Sequence, residues 1–118
     1  MKAIIIINET HSMMDEQKSI IEERYQNYEF LKVPSQGWTL EEMKEIRRKL
    51  WKEYMSSHGE MNIIFVSPVP YLLKEIALLG AEFTSFRVLV MHNDKREKKE
   101  LPDGRIISVV AQTGWQLV

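Results

Sequence analysis

Ala3-Ile4-Ile5-Ile6-Ile7 is an unbroken apolar run with the polar pair Asn8-Glu9 directly behind it. A strand with one wet face alternates apolar and polar residues. A run without alternation suits a strand covered on both faces, as in a parallel sheet. Working outward, Asn8 to Ser12 is a polar break, with Ser12 placed to cap a helix and Asp15 in its first turn. Met14, Gln17, Ile21, Tyr25 and Tyr28 then recur at helical spacing, flanked by Ile20 and Arg24. Phe30 to Val33 reads as a second strand and Pro34-Ser35-Gln36-Gly37 as a turn. Thr39-Leu40-Glu41-Glu42 matches a capping box, with Trp38 as the staple ahead of it. Leu40, Met43, Ile46, Leu50, Trp51 and Tyr54 mark the apolar face of the helix that follows, opposite Glu45, Arg48, Lys49 and Lys52. Ser56 to Gly59 ends it.

The second half repeats the theme. Asn62 to Val66 is a third strand, and Ser67-Pro68 reads as a cap followed by proline at the first helical position. Val69, Leu72, Leu73, Ile76 and Ala77 form a buried stripe, with Gly80 as the C-terminal stop. Phe86 to Met91 is a fourth strand and His92 to Glu100 a charged segment. Leu101-Pro102-Asp103-Gly104-Arg105 is a turn, Ile106 to Ala111 a fifth strand, and Trp115, Leu117 and Val118 a short apolar tail. The order β-α-β-α-β-α-β-β predicts one α/β domain over residues 1–118. Its expected architecture is a small Rossmann-like three-layer sandwich, with a mainly parallel sheet and a C-terminal antiparallel hairpin.

Composition bounds the function. A chain of 118 residues buries roughly 65% of its unfolded surface, enough for one core. Apolar residues at 44% and charged residues at 28% exclude a disordered tail or a coiled-coil rod. A net charge of −1 argues against coating long nucleic acid, while leaving room for a local pocket that takes a small anion. The absence of cysteine excludes disulfides, zinc thiolates and thiol nucleophiles. No apolar run nears the ~18 residues of a membrane span, and the N-terminal isoleucines are too few for a signal core, so a soluble cytoplasmic protein is expected. No G-x-G-x-x-G, P-loop or G-x-S-x-G is present. The three histidines have no carboxylates at ligand spacing, so neither a metal nor another cofactor is expected. His58, at a helix end, is expected to do nothing.

Ligands of such sheets bind at the carboxyl ends of the strands. That rule selects three segments: Asn8-Glu9-Thr10-His11-Ser12, Ser67-Pro68-Val69-Pro70-Tyr71 and His92-Asn93-Asp94-Lys95-Arg96, all expected at one rim. The first feeds a helix N-terminus, which favours anions, and adds two hydroxyls and an imidazole that can donate or shuttle a proton. Its plainer reading is a cap beside a solvated histidine. The second is stiffened by two prolines, either a wall beside a base or ribose or simply a helix start. The third carries Lys95 and Arg96 within reach of an anion, or forms a solvated hairpin arm.

The start Ile4-Ile5-Ile6-Ile7-Asn8-Glu9-Thr10-His11 with Asp15-Glu16-Gln17, the stretch Ile63-Ile64-Phe65-Val66-Ser67-Pro68 and the closing hairpin together resemble the small Rossmann-like, CARF-like accessory proteins of type III CRISPR systems. Those families bind cyclic oligoadenylate second messengers and in several cases cleave them as ring nucleases. The resemblance implies a homodimer around a roughly two-fold ring, with cyclic tetra-adenylate the expected ligand. It implies metal-free cleavage in which a ribose 2′-OH attacks the adjacent phosphate and leaves a 2′,3′-cyclic phosphate. Thr10, His11 and Arg96 are then the expected catalytic residues. Asn8, Glu9, Ser12, Ser67, Pro68, Val69, Pro70, His92, Asn93 and Lys95 are the expected ligand contacts. Backbone amides near Thr10–Ser12 and Ser67 are expected to hold phosphate charge, with His11 as acid or base. Two other readings stay open: a sponge that sequesters the ring uncut, and a protein–protein adaptor without a small ligand.

Overall fold

Every residue of the run Ala3–Ile7 is buried, and the reason is visible on both sides of it. Ala3, Ile5 and Ile7 pack with Ile21, Tyr25, Ile64 and Met91, whereas Ile4 and Ile6 pack with Met43, Leu50, Leu72 and Ile76. Successive residues of a strand point to opposite faces, so each face needs its own cover. The computed structural model describes residues 2–56 and 59–118, and His58 lies outside them. The chain runs β1 (Lys2–Asn8), α1 (Asp15–Arg24), β2 (Asn27–Val33), α2 (Leu40–Ser56), β3 (Met61–Phe65), α3 (Pro70–Glu82), β4 (Phe86–His92), β5 (Arg96–Glu100), β6 (Ile106–Val110) and β7 (Gln116–Leu117). It is a mixed α/β fold with a mostly parallel five-stranded sheet in the order β2-β1-β3-β4-β7 and a separate antiparallel pair, β5-β6. β1 lies between β2 and β3, parallel to both, and β7 is antiparallel to β4. Helix α1 covers one face; α2 and α3 cover the other. None of the described helices is long and apolar enough to cross a membrane.

Several local expectations hold. Thr39 N–H donates to Glu42 Oε1 at 3.0 Å and Glu42 N–H to Thr39 Oγ1 at 3.1 Å, a complete capping box. Trp38 packs against the cluster containing Met43, as a staple should. The 101–105 turn closes with Leu101 N–H on Arg105 O and positive φ at Gly104.

Others are corrected. The hairpin does not close the main sheet. Arg96–Glu100, read as a charged segment, is a strand; it pairs with β6 off the sheet, and the edge strand beside β4 comes from the tail. Five consecutive exposed charged or polar positions carry no apolar signal, so only pairing with β6 makes β5 a strand. Helix α1 stops at Arg24 with Tyr25 as its C-cap, so Tyr28, at the same spacing, belongs to β2. Leu40 is exposed although it sits on the apolar spacing of α2. Ser12 does not cap α1; Met14 occupies that position, and its N–H donates to Gln17 Oε1 at 2.9 Å. The two prolines allow two helix starts after β3, and the chain uses the second, with Val69 at the cap and Pro70 in the first turn.

Gly80 does not end α3 but lies inside it. A Cβ built there would sit 2.9 Å from the Phe86 carbonyl oxygen and 3.3 Å from Val88 Cγ2. The helix thus needs glycine for close approach to β4. Alanine gains ~1 kcal/mol of helix propensity, but overpacking against main chain costs about 1–3 kcal/mol. Gly80→Ala is therefore expected to lower stability by about 1–2 kcal/mol in urea unfolding. A rise in the midpoint would refute the close-approach account.

Candidate functional site

The chain steps from β1 to β2 on one side and later to β3 on the other. Loops leaving β1 and β3 then head for helices on opposite faces, which opens a crevice between the carboxyl ends of these two strands. Two adjoining clefts occupy it. The first, of about 510 Å³, includes Thr10, His11, Ser12, Gln17, Ser67 and Trp115. The second, of about 410 Å³, includes Asn8, Ser35, Trp38, Val69, Pro70 and Tyr71. Thr10 and Pro68 line both and form the ridge between them. Each volume falls in the range of small-molecule sites, about 300–1,000 Å³.

Ser67 holds the two loops together. Its N–H donates to Ile6 O at 3.1 Å, and its Oγ accepts the Asn8 N–H at 2.9 Å. The hydroxyl thus continues the β1–β3 pairing past the last residue of β3. Ser67 is 4% exposed, so this bond is made out of water. Its amide is committed to Ile6 and does not face a ligand. The hydroxyl proton remains to be donated.

The first loop is shaped by its main chain. Glu9 N–H donates to Val33 O at 2.9 Å and His11 N–H to Asn8 O at 3.0 Å. The Glu9 carboxylate accepts the Ser35 N–H at 2.8 Å, which ties the loop to the β2–α2 turn. Thr10, His11 and Ser12 are all exposed. Asn8 Nδ2 lies 3.5 Å from His11 Nδ1. Trp115 reaches this cleft from the far end of the sequence because its main-chain N–H donates to Glu16 Oε1 at 2.6 Å.

Among the described residues, neither lining includes a lysine, an arginine or a carboxylate. Charge on a ligand would be met by hydroxyls, His11 and the first turn of α3, which carries no acidic residue, whereas the first turn of α1 already holds Asp15 and Glu16. The Glu45 carboxyl is held below its usual range chiefly by hydrogen bonding to Arg48, and the Tyr28 phenol is pushed up by desolvation and then by Glu22.

The third segment does not reach the clefts. Asn93 is buried: its Nδ2 donates to Ala111 O and Thr113 O at 3.2 and 2.9 Å, and its Oδ1 accepts the Lys95 N–H at 2.9 Å. Arg96 Nη1 donates to the carbonyls of Asn93 and Lys95. His92 Nε2 pairs with Asp94 Oδ1 at 2.6 Å in the open. Arg96 still lies close, because its cross-strand partner Val110 lines the first cleft and the two side chains share a face. Tyr71, the last residue of the second candidate segment, lines the second cleft, whereas Gln17, Trp38 and Trp115 are lining residues the sequence does not single out as such; for Trp115 it holds no signal. Neither a protein-family model, nor a curated protein, nor a solved structure matches the chain.

Proposed function

We propose that this chain is a small Rossmann-like domain that binds a cyclic oligoadenylate, preferably cyclic tetra-adenylate, and cleaves it without a metal, as a ring nuclease in type III CRISPR defence. The observation that carries the reading is the convergence of Thr10 and Ser67 on one uncharged, donor-lined cleft at the carboxyl edge of β1 and β3. Supporting it are the aromatic walls: Trp115 in the first cleft, Trp38 and Tyr71 in the second. Bases stack on such rings without sequence readout. Phosphates between them meet the Thr10 hydroxyl on the ridge and the Ser12 hydroxyl in the first cleft.

In the cleavage step the ribose 2′-oxygen bonds to the adjacent phosphorus and the P–O5′ bond breaks. The 2′-proton passes to solvent, and O5′ takes up a proton. The protein holds the 2′-oxygen in line and stabilises charge on the phosphate and on O5′. His11 supplies the proton that the leaving O5′ takes up.

Labelled cyclic tri-, tetra- and hexa-adenylate mixed with the protein in chelator test this directly, by native gel and product chromatography. A shift with linear products ending in a 2′,3′-cyclic phosphate is expected for the tetramer. A shift without products would make the protein a sponge. No shift for any ring would leave the adaptor reading and overturn this one.

A further inference from the structure

The β5–β6 pair stands off the main sheet as a two-stranded ribbon. The molecule measures 54 × 33 × 21 Å with a radius of gyration of 15.9 Å, against about 13.5 Å for a compact chain of this length. A ribbon of two strands is marginal in water without a third neighbour. Its two open edges are protected unequally. β5 reads Arg96-Glu97-Lys98-Lys99-Glu100, charged throughout, which is how proteins blunt an edge. β6 reads Ile106-Ile107-Ser108-Val109-Val110, with no charge and no proline. Ile106 is 66% exposed, Ile107 38% and Val110 36%.

The phase of the ladder shows what that edge offers. Ala111 N–H donates to Lys95 O and Leu101 N–H to Arg105 O. Antiparallel pairs alternate between bonded and non-bonded, so Ile107 and Val109 turn their main-chain groups toward β5. Ile106, Ser108 and Val110 turn theirs to the open edge. The segment is also nearly palindromic in character. Turned end for end about Ser108, Ile106 meets Val110 and Ile107 meets Val109, apolar on apolar at each position.

We propose that two copies of the chain pair antiparallel through β6, about a two-fold axis between their Ser108 residues, giving a four-stranded ribbon β5-β6-β6-β5. The contact is isologous and closes at two copies. Such an axis stands perpendicular to the ribbon and preserves its faces. The two Val110 side chains therefore lie on the same face, about 14 Å apart along the strands at about 3.4 Å per residue. Val110 lines the first cleft, so the two clefts open side by side. That last consequence deepens the cyclic-nucleotide reading and rests on it; the pairing does not.

The chain has no cysteine, so one introduced thiol reports alone. Cα atoms of a bonded antiparallel pair lie about 5.5 Å apart, inside the span a disulfide bridges. Ser108→Cys under mild oxidation of dilute protein is expected to give a covalent dimer that reductant reverses. Lys98→Cys, directly across the ribbon on the charged strand, is expected to stay monomeric. Ser108→Pro removes one outward N–H and no bond to β5, and it is expected to raise the dimer dissociation constant by about tenfold or more in sedimentation equilibrium. Absence of crosslinking at Ser108→Cys, equal crosslinking at Lys98→Cys, or identical masses for the native chain and Ser108→Pro would each overturn the pairing. No ligand is needed, so failure of nucleotide binding leaves this result standing.

Discussion

Replacing Thr10 and His11 together by alanine is expected to slow cleavage of cyclic tetra-adenylate by about tenfold or more while the chain stays folded. The loop that carries them is fixed through main-chain bonds at Glu9 and His11 and through the Glu9 carboxylate on Ser35, none of which alanine removes. Both side chains are exposed, so stability should move by no more than about 0.5 kcal/mol. What disappears is the hydroxyl on the ridge between the clefts and the imidazole of the first cleft. If the two act on charge that develops during the reaction, turnover falls more than affinity does. Single-turnover rates beside equilibrium binding separate the two effects, and thermal melting checks the fold. Turnover unchanged in the double variant removes the first loop from the mechanism. An affinity loss that accounts for the whole rate loss reduces both residues to binding contacts.

The sequence made some of this legible for reasons that lie in particular residues. Ala3–Ile7 announced a doubly covered strand because burial on both faces leaves no polar position to break the run. Thr39 and Glu42 announced a helix start because a capping box is made within four residues. The place of the clefts was legible to the same degree: once three strands alternate with helices, their carboxyl ends are where loops must gather, and residues of two of the three candidate loops line them. What failed depended on partners distant in the chain. β5 has no apolar pattern of its own. β7 is a strand only because β4 has an open edge. Ser67, read as a cap, spends its hydroxyl on Asn8, and Trp115 is placed by Glu16. Gly80 looks like a stop until β4 is seen beside it. Asn93 and Arg96 stand out for the chemistry of their side chains, but carbonyls of the arm's base already take the Asn93 amide and Arg96 Nη1.

Asn93→Ala is expected to cost about 3 kcal/mol of stability, a large share of the 5–15 kcal/mol usual for a domain. The amide joins three segments at one point: the exit of β4, the start of β5 through the Lys95 N–H, and the return of the chain through the carbonyls of Ala111 and Thr113. Alanine fills none of these roles and leaves main-chain groups without partners around a residue only 6% exposed. Each orphaned group costs about 1–3 kcal/mol, partly relieved where water enters. Gly114 closes the same knot: at φ 94° and with its Cβ position 3.0 Å from Asn93 Oδ1 and 2.6 Å from Lys95 Cδ, it has no room for a side chain. The damage should be local first. Hydrogen exchange is expected to speed up in β5, β6 and β7, while amides of β1 and β3 keep their protection. Urea unfolding gives the size of the loss and exchange gives its place. If the variant instead keeps its native stability and loses only affinity for the cyclic nucleotide, Asn93 is a ligand contact after all, and the arm is held by something other than this side chain.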